Sequence, residues 1–171
     1  PLDNANSPSI TKTGGGLFSW ELGHAYRLST ARFNGGHSSL GPGTSLQPGS
    51  LQVGVDTAAS LAVAGGSISD IWMVKSAGVN NVVFGMNAGS SGTVTVSDGG
   101  GLDFASTFLV GQNGAGSLTI NNGGDVRGLG SGEFRLILAA NPGSTGTVQV
   151  NPGGVIWLGG ANALSRGAGT A

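Results

Sequence analysis

The sequence predicts an all-β protein, a β-solenoid of about five to six irregular coils. Glycine supplies 35 of the 171 residues, roughly three times its usual share. Charged residues are only 9% of the chain, where about 25% is usual. Short runs of alternating polar and apolar residues recur along the chain, and a glycine-rich turn follows each of them. This combination is typical of half-buried strands joined by tight turns in a repeat protein.

A ten-residue pattern carries the repeat. It reads polar, apolar, polar, apolar, two turn-forming residues, Gly-Gly, any residue and apolar, and the earliest copy has one turn residue fewer. The apolar anchors Leu61, Val94, Leu118 and Val148 are 33, 24 and 30 residues apart. This unequal spacing predicts a regular body with insertions in its loops. The copies are residues 60–68, 93–102, 117–126 and 147–156.

Alternation with a period of two places the apolar side chains of each copy on one face of a strand. A single strand of this kind buries nothing. Copies stacked about 4.8 Å apart would bury a continuous apolar column inside the coils. The predicted core ladder is Leu61, Val63, Val94, Val96, Leu118, Ile120, Val148 and Val150.

The Gly-Gly pair after each strand predicts a sharp turn. Glycine adopts positive φ at low steric cost, and a column of glycines lets the backbones of neighbouring coils approach closely. The predicted turn glycines are Gly65, Gly66, Gly99, Gly100, Gly123, Gly124, Gly153 and Gly154.

A second apolar strand precedes each copy, and glycine- and serine-rich links join the two strands. Residues 18–33 repeat least and could form a short helix, but a strand pair is the favoured interpretation. We therefore divide the chain into weakly repetitive N-terminal coils or a cap (1–50), a repeat solenoid (51–160) and a continuation or C-terminal tail (161–171). The second strands begin at Leu51, Val82, Phe108 and Leu136.

Composition also excludes several classes of function. The net charge of −1 argues against a nucleic-acid partner, which needs a basic surface, and against docking to anionic lipid. No run is long enough for a transmembrane helix, so direct membrane insertion by this segment is not expected. The chain has no cysteine, which excludes disulfides and thiolate sites. The start at Pro1 lacks Met and a signal peptide, which indicates a processed form or a fragment.

Candidate chemical groups are few. Asp98, Asp103 and Asp125 could supply a carboxylate pair for glycoside hydrolysis, with Arg127 and Arg135 nearby in sequence. Aspartate beside glycine is more typical of a turn residue that bonds local backbone. His24 and His37 are the only histidines, and nothing at the right spacing completes a metal site. We therefore expect no enzyme activity, no catalytic residue, no cofactor and no metal.

The three tryptophans, Trp20, Trp72 and Trp157, could act as aromatic platforms for glycans. Aromatic residues are sparse in this chain, at 6%. Packing in the core or at a corner of the solenoid is therefore the preferred interpretation of each.

Residues 109–126, with the matching stretches 83–102 and 138–155, resemble the repeat associated with type V secretion and PEP-CTERM proteins of bacterial autotransporter passengers. The resemblance covers about residues 51–160. It implies export, a right-handed parallel β-helix and a place on the bacterial surface or in its matrix. It names no catalytic group. Ala139 departs from the repeat, which usually has glycine there.

The expected function is therefore a structural segment of a secreted bacterial surface protein. It would be an extracellular or cell-surface β-solenoid stalk, an adhesin-like passenger or a matrix fibre, with residues 69–81 as a display loop. The alternatives are a filament subunit that stacks end to end through open solenoid edges and a carbohydrate-active β-helix enzyme. The expected partners are the chain itself or a host or matrix surface, with glycans as further candidates.

Overall fold

A computed structural model describes residues 8–20, 25–69, 80–128, 134–158 and 162–170. Within those ranges every regular element is a β-strand. Every third strand along the chain joins the same sheet, so three strands make one coil and each coil stacks on the one before. The prediction of an all-β parallel solenoid is confirmed. No helix of the described residues is long and apolar enough to cross a membrane.

In the part of the chain that the structure describes, six coils of three strands follow one another, and a further strand begins the next coil. The coils are β1 (Ile10–Thr13), β2 (Leu17–Trp20) and β3 (Ala25–Leu28); β4 (Ala31–Asn34), β5 (Gly36–Leu40) and β6 (Ser45–Pro48); β7 (Leu51–Val53), β8 (Ala58–Ala64) and β9 (Ser67–Ser69); β10 (Asn80–Phe84), β11 (Ser91–Ser97) and β12 (Gly101–Phe104); β13 (Thr107–Val110), β14 (Ala115–Ile120) and β15 (Asp125–Gly128); β16 (Phe134–Leu138), β17 (Thr145–Val150) and β18 (Val155–Leu158); then β19 (Asn162–Arg166).

The three sheets run the length of the solenoid. Sheet A is β1-β4-β7-β10-β13-β16-β19, sheet B is β2-β5-β8-β11-β14-β17 and sheet C is β3-β6-β9-β12-β15-β18. All of their strand pairs are parallel. Parallel pairing in consecutive coils is what a winding chain produces, since each strand meets its counterpart one turn later. The right-handedness of the winding stays a prediction.

The N-terminal part winds in the same way as the repeats. Strands β1 to β6 pair directly with one another and with β7, β8 and β9. Within residues 18–33 the described residues form strands and no helix, while residues 21–24 lie outside the described ranges. At the other end, β19 extends sheet A beyond residue 160. The boundaries at 50 and 160 stay predictions.

Sheet C is the element that the repeat pattern did not predict. Each copy of the pattern ends on one apolar residue after Gly-Gly, and the pattern assigns no strand to that residue. In the structure the residues after Gly-Gly form separate strands of three or four residues. Only one or two described side chains of each strand face inward, too few for an alternating pattern to stand out in the sequence.

The core lies inside the coils and is apolar. A line of aromatic rings crosses several coils in edge-to-face contact: Phe84 lies 4.9 Å from Phe108, Phe108 lies 5.2 Å from Phe104, and Phe104 lies 6.2 Å from Phe134. All four of these side chains are fully buried. Each buried aromatic side chain removes about 150–250 Å² from water. The rings therefore join the middle coils into one unit.

Lys12 links the first coil to the second through hydrogen bonds. Its ammonium group donates hydrogen bonds to the carbonyl oxygens of Gly14 at 2.7 Å, Gly16 at 2.6 Å and Gly35 at 2.5 Å. An ammonium group has three donors, and all three find acceptors here. The glycine run 14–16, which lacks the features of a phosphate loop, thus serves as a carbonyl cradle for a lysine of its own chain.

Candidate functional site

The predicted core ladder lies in sheet B. Val94 pairs with Leu61 on one side and Leu118 on the other, and Leu118 pairs with Val148. The second column places Val63, Val96, Ile120 and Val150 in register one above another. Six of the eight side chains are buried. Val148 is partly buried and Val150 is 43% exposed, because sheet B ends at β17.

The same inward column contains a serine. Ser38 pairs with Phe18 and with Leu61, is 3% exposed, and its hydroxyl has no hydrogen-bond partner among the described residues. An unpaired buried hydroxyl lowers the stability of the folded state.

We expect Ser38→Ala to raise the free energy of unfolding by about 1 kcal/mol, as measured by urea denaturation. Ser39→Ala is the control, because Ser39 donates to Ser19 Oγ at 3.2 Å on the outer face. Equal effects of the two changes would contradict the prediction.

The predicted turn glycines divide into two types. The first glycine of each pair, Gly65, Gly99, Gly123 or Gly153, has a φ of 73–80°. The second has ordinary φ but no room for a side chain. A Cβ at Gly100 or Gly124 would meet the carbonyl oxygen of Val63 or Val96 respectively, and at Gly66 or Gly154 the Cβ would be under 3.0 Å from the adjoining coil. The first position of each pair thus requires glycine because its φ is positive. The second requires glycine because a side chain there would collide with the adjoining coil.

At the corner between sheets A and B, a single glycine in each coil has both a positive φ and no room for a side chain. Gly54, Gly85 and Gly111 have φ of 69°, 62° and 82°, and a Cβ on each would meet a carbonyl oxygen of the following coil. The fourth member of this column is Ala139, which has a φ of 52° and is fully buried. This is the position at which the sequence departs from the usual glycine of the repeat.

Ala139 is therefore strained. Positive φ costs a residue with a Cβ about 1–2 kcal/mol. We expect Ala139→Gly to raise the free energy of unfolding by about 1 kcal/mol, less than the full strain because glycine also gains freedom in the unfolded chain. The measurement is urea denaturation beside Ala140→Gly, whose φ is not positive. Destabilisation by both changes would contradict the assignment of strain to residue 139.

Two of the three candidate carboxylates meet at one arginine, and the third lies apart from them. Asp98 lies at the corner between sheets B and C with a φ of 55°, and it accepts a hydrogen bond from Ser97 Oγ at 2.7 Å. This is the behaviour of a turn residue. Asp103 and Asp125 lie on the outer face of sheet C, and both contact Arg127. The distances from Arg127 Nε are 3.4 Å to Asp103 Oδ1 and 3.1 Å to Asp125 Oδ2.

The histidines do not form a metal site in the described part of the chain. His37 Nδ1 lies 2.5 Å from Ser60 Oγ on the outer face of sheet B, and His24 lies outside the described residues. Among the described residues no three His, Cys, Asp or Glu side chains are grouped to hold a metal ion. Arg135 lies on β16 and is exposed.

The tryptophans have different environments. Trp20 is 8% exposed and packs 5.6 Å from Phe33, as expected for a core residue. Trp157 does not pack inside the solenoid: it is 53% exposed on β18. Trp72 and almost all of the predicted display loop 69–81 lie outside the described residues.

Asparagine and aspartate side chains connect the outer corners of neighbouring coils. Asn141 Nδ2 donates to Asn113 Oδ1 at 2.8 Å, and Asn151 Nδ2 donates to Asn121 Oδ1 at 2.7 Å. Nearer the N-terminus, Asn87 Nδ2 donates to Asp56 Oδ1 at 2.7 Å. These bonds add to the backbone pairing along the axis, and they explain why amide residues stand at the turns.

Comparison of the chain with known protein families finds no matching family model. Comparison with curated proteins and with solved structures also finds no match. The resemblance to the type V secretion repeat therefore rests on the repeat pattern of the sequence.

Proposed function

We propose that this chain is a stiff structural segment of a secreted bacterial surface protein, an extracellular β-solenoid stalk of the adhesin or matrix-fibre type. The observation that supports this proposal best is the unbroken register of sheet B. Six strands follow one another in parallel, and their inward residues form two columns that are apolar except for Ser38. Such a body extends along one axis and holds whatever its loops carry at a set distance from its base.

Backbone hydrogen bonds at the corners join neighbouring coils. At the A–B corner Gly85 donates its N–H to the carbonyl of Val53 at 3.0 Å. Its own carbonyl accepts from the N–H groups of Gln112 and Gly114, each at 3.0 Å. Each corner is thus bonded to the coil before it and the coil after it. A bend of the axis would break several of these bonds together, which favours a role as a spacer.

The surface composition fits exposure to an aqueous exterior without dense charge. Only 9% of the chain is charged, and the outward positions of sheet B carry mostly Ser, Thr and Gln. Residues of this kind solvate a strand face without the like-charge repulsion that would oppose stacking of coils. An enzyme role is not proposed, since Asp98 and the Asp103–Asp125 pair are engaged in local bonds.

The test of location is protease treatment of intact cells of the organism that encodes the chain. An antibody raised against the purified chain is expected to label unbroken cells or their matrix. Trypsin added outside is expected to remove the label while a cytoplasmic marker survives. Labelling that appears only after the cells are lysed would contradict the proposal.

End-to-end stacking is the second candidate function, and exposed inward positions favour it. Phe18 in β2 is 39% exposed, Val150 in β17 is 43% exposed and Leu164 in β19 is 68% exposed. Their register partners Ser38, Ile120 and Leu136 are at most 3% exposed, because another coil covers them. We propose that a second copy of the chain can supply such a cover, since unpaired strand edges template further pairing.

Electron microscopy over a concentration series tests this candidate. Filaments are expected to lengthen with concentration, and Val150→Lys with Leu164→Lys is expected to stop growth by placing charges at the stacking face. Ser117→Lys is the control, because Ser117 faces outward on β14 and should not interfere. Short particles of one size at all concentrations would contradict self-assembly and leave the stalk proposal standing.

A further inference from the structure

Trp157 is an outward-facing aromatic residue on a strand whose other face packs on the core. Its neighbours Ile156 and Leu158 pack against the core from inside the coil. Trp157 alternates with them and so points away from the core. Trp157 is therefore 53% exposed because it lies on the outer face of sheet C. Val150 is exposed for another reason: it points inward, and a further coil stacked on β17 would cover it.

The register partner of Trp157 on the neighbouring strand is a charged residue. Trp157 is the register partner of Arg127 in β15, and Arg127 is the register partner of Asp103 in β12. The three side chains thus form one column across three coils, about 10 Å long at the usual strand spacing. Asp103 and Asp125 hold the guanidinium group through its Nε, at 3.4 and 3.1 Å. The guanidinium is fixed in position while 45% of the Arg127 side chain remains exposed.

This cluster is not arranged for stability. Exposed ion pairs contribute little to folding. A buried carboxylate oxygen without a donor is unfavourable, and Asp125 Oδ1 has no hydrogen-bond partner among the described residues. An exposed indole beside such an ion pair adds no core packing either. Tryptophan and arginine are, by contrast, the side chains that contribute most at recognition surfaces.

We propose that Trp157, Arg127 and the carboxylates of Asp103 and Asp125 form a binding surface for a neutral polysaccharide of pyranose units. The apolar face of a sugar ring would pack on the indole, which offers a large flat apolar area. Ring hydroxyls would accept from the guanidinium N–H groups and donate to the carboxylate oxygens other than Asp103 Oδ1 and Asp125 Oδ1, which are buried. Two carboxylates against one guanidinium leave a net negative charge, which disfavours acidic polymers. The inference rests on the proposed function, because an extracellular chain meets polysaccharides.

The test is calorimetric titration of the purified chain with cellohexaose, laminarihexaose and chitohexaose, and with polygalacturonate as the acidic polymer. We expect at least one neutral glycan to bind and polygalacturonate not to bind. Trp157→Ala is expected to weaken binding by about tenfold or more. Arg127→Ala is expected to weaken it as well. Thr147→Ala is the control, because Thr147 is exposed on the outer face of sheet B, away from the proposed surface on sheet C; it should change affinity by no more than about twofold.

Circular dichroism and urea denaturation of each variant separate loss of binding from loss of fold. The inference is overturned if the native chain binds none of the neutral glycans, or if folded Trp157→Ala binds as tightly as the native chain. Tighter binding of polygalacturonate than of the neutral glycans also overturns it. These outcomes leave the protease result on intact cells unchanged. A chain that binds glycans but is found only inside cells would instead contradict the proposed function.

Discussion

Replacing Gly85 with alanine is expected to lower the free energy of unfolding by about 3–5 kcal/mol. Two costs combine at this corner. Gly85 has a φ of 62°, which disfavours any side chain. Its Cβ would also meet the carbonyl oxygen of Ala115 in the following coil. Since Gly85 is hydrogen-bonded to the coils on both sides, neither backbone can move without breaking bonds. A loss of this size is a large part of the stability of an ordinary domain.

Substitutions at three other glycines allow the cost of positive φ and the cost of the steric clash to be measured separately. Gly89 has a φ of 79° and open space around its Cβ direction, so Gly89→Ala is expected to cost about 1–2 kcal/mol from conformation alone. Gly124 has ordinary φ but would meet Val96 O, so Gly124→Ala is expected to cost about 1–3 kcal/mol from close approach alone. Gly101 has neither constraint, and Gly101→Ala is expected to be neutral or to stabilise by about 0.4–1 kcal/mol.

Urea denaturation followed by circular dichroism measures all four changes on one scale. The expected order of destabilisation is Gly85 first, then Gly124 and Gly89, then Gly101. Equal losses at Gly85 and Gly89 would contradict the close approach of the coils at the A–B corner. A loss at Gly101 as large as that at Gly124 would contradict the corner geometry between sheets B and C.

Replacing Phe108 with alanine is expected to cost about 3–5 kcal/mol. Phe108 is fully buried in sheet A and lies in edge-to-face contact with Phe84 and Phe104. The change leaves a cavity in the middle of the solenoid and removes both ring contacts, each of which adds about 0.5–1.5 kcal/mol. Rigid coils bonded on both sides cannot close around the cavity.

Phe18→Ala is the matched control for Phe108→Ala. Phe18 has the same side chain and also lies in edge-to-face contact with an aromatic residue, Trp20, with the ring centroids 4.5 Å apart. It is 39% exposed, so its loss is expected to cost about 1 kcal/mol. Thermal and urea denaturation of both variants measure the difference. If Phe108→Ala cost no more than Phe18→Ala, the aromatic line would not be the link between the middle coils.

The strands of sheets A and B in the repeat region could be predicted from the sequence because their apolar residues mark the side chains that are buried. Alternation in 93–96, 117–120 and 147–150 identifies the inward side chains without knowledge of their neighbours. The Gly-Gly pairs likewise mark the turns, since few other residues adopt positive φ. The strand interpretation of residues 18–33 holds for the described residues, although repetition there is weak.

The outer surface could not be predicted in the same way. Trp157 was expected to pack in the core or at a corner, because tryptophan usually does. Its outward position follows from register alone: Ile156 and Leu158 take the inward positions of β18. The three carbonyl groups around Lys12 belong to glycines, which have no side chain to indicate a hydrogen bond with a lysine. No pattern of residue types signals such contacts.

The sequence by itself determined the strands of sheets A and B in the repeat region, which of their side chains face inward, and where the chain turns, because these are properties of short segments. Alignment of the copies also predicts that Leu61 lies on Val94, and coils of unequal length do bring the two into register. Only the tertiary structure decided how the outward side chains meet across coils, as where Arg127 becomes the register partner of Trp157. The physical reason is that hydrogen bonds between coils select the register, and the register alone assembles the outward side chains into a surface.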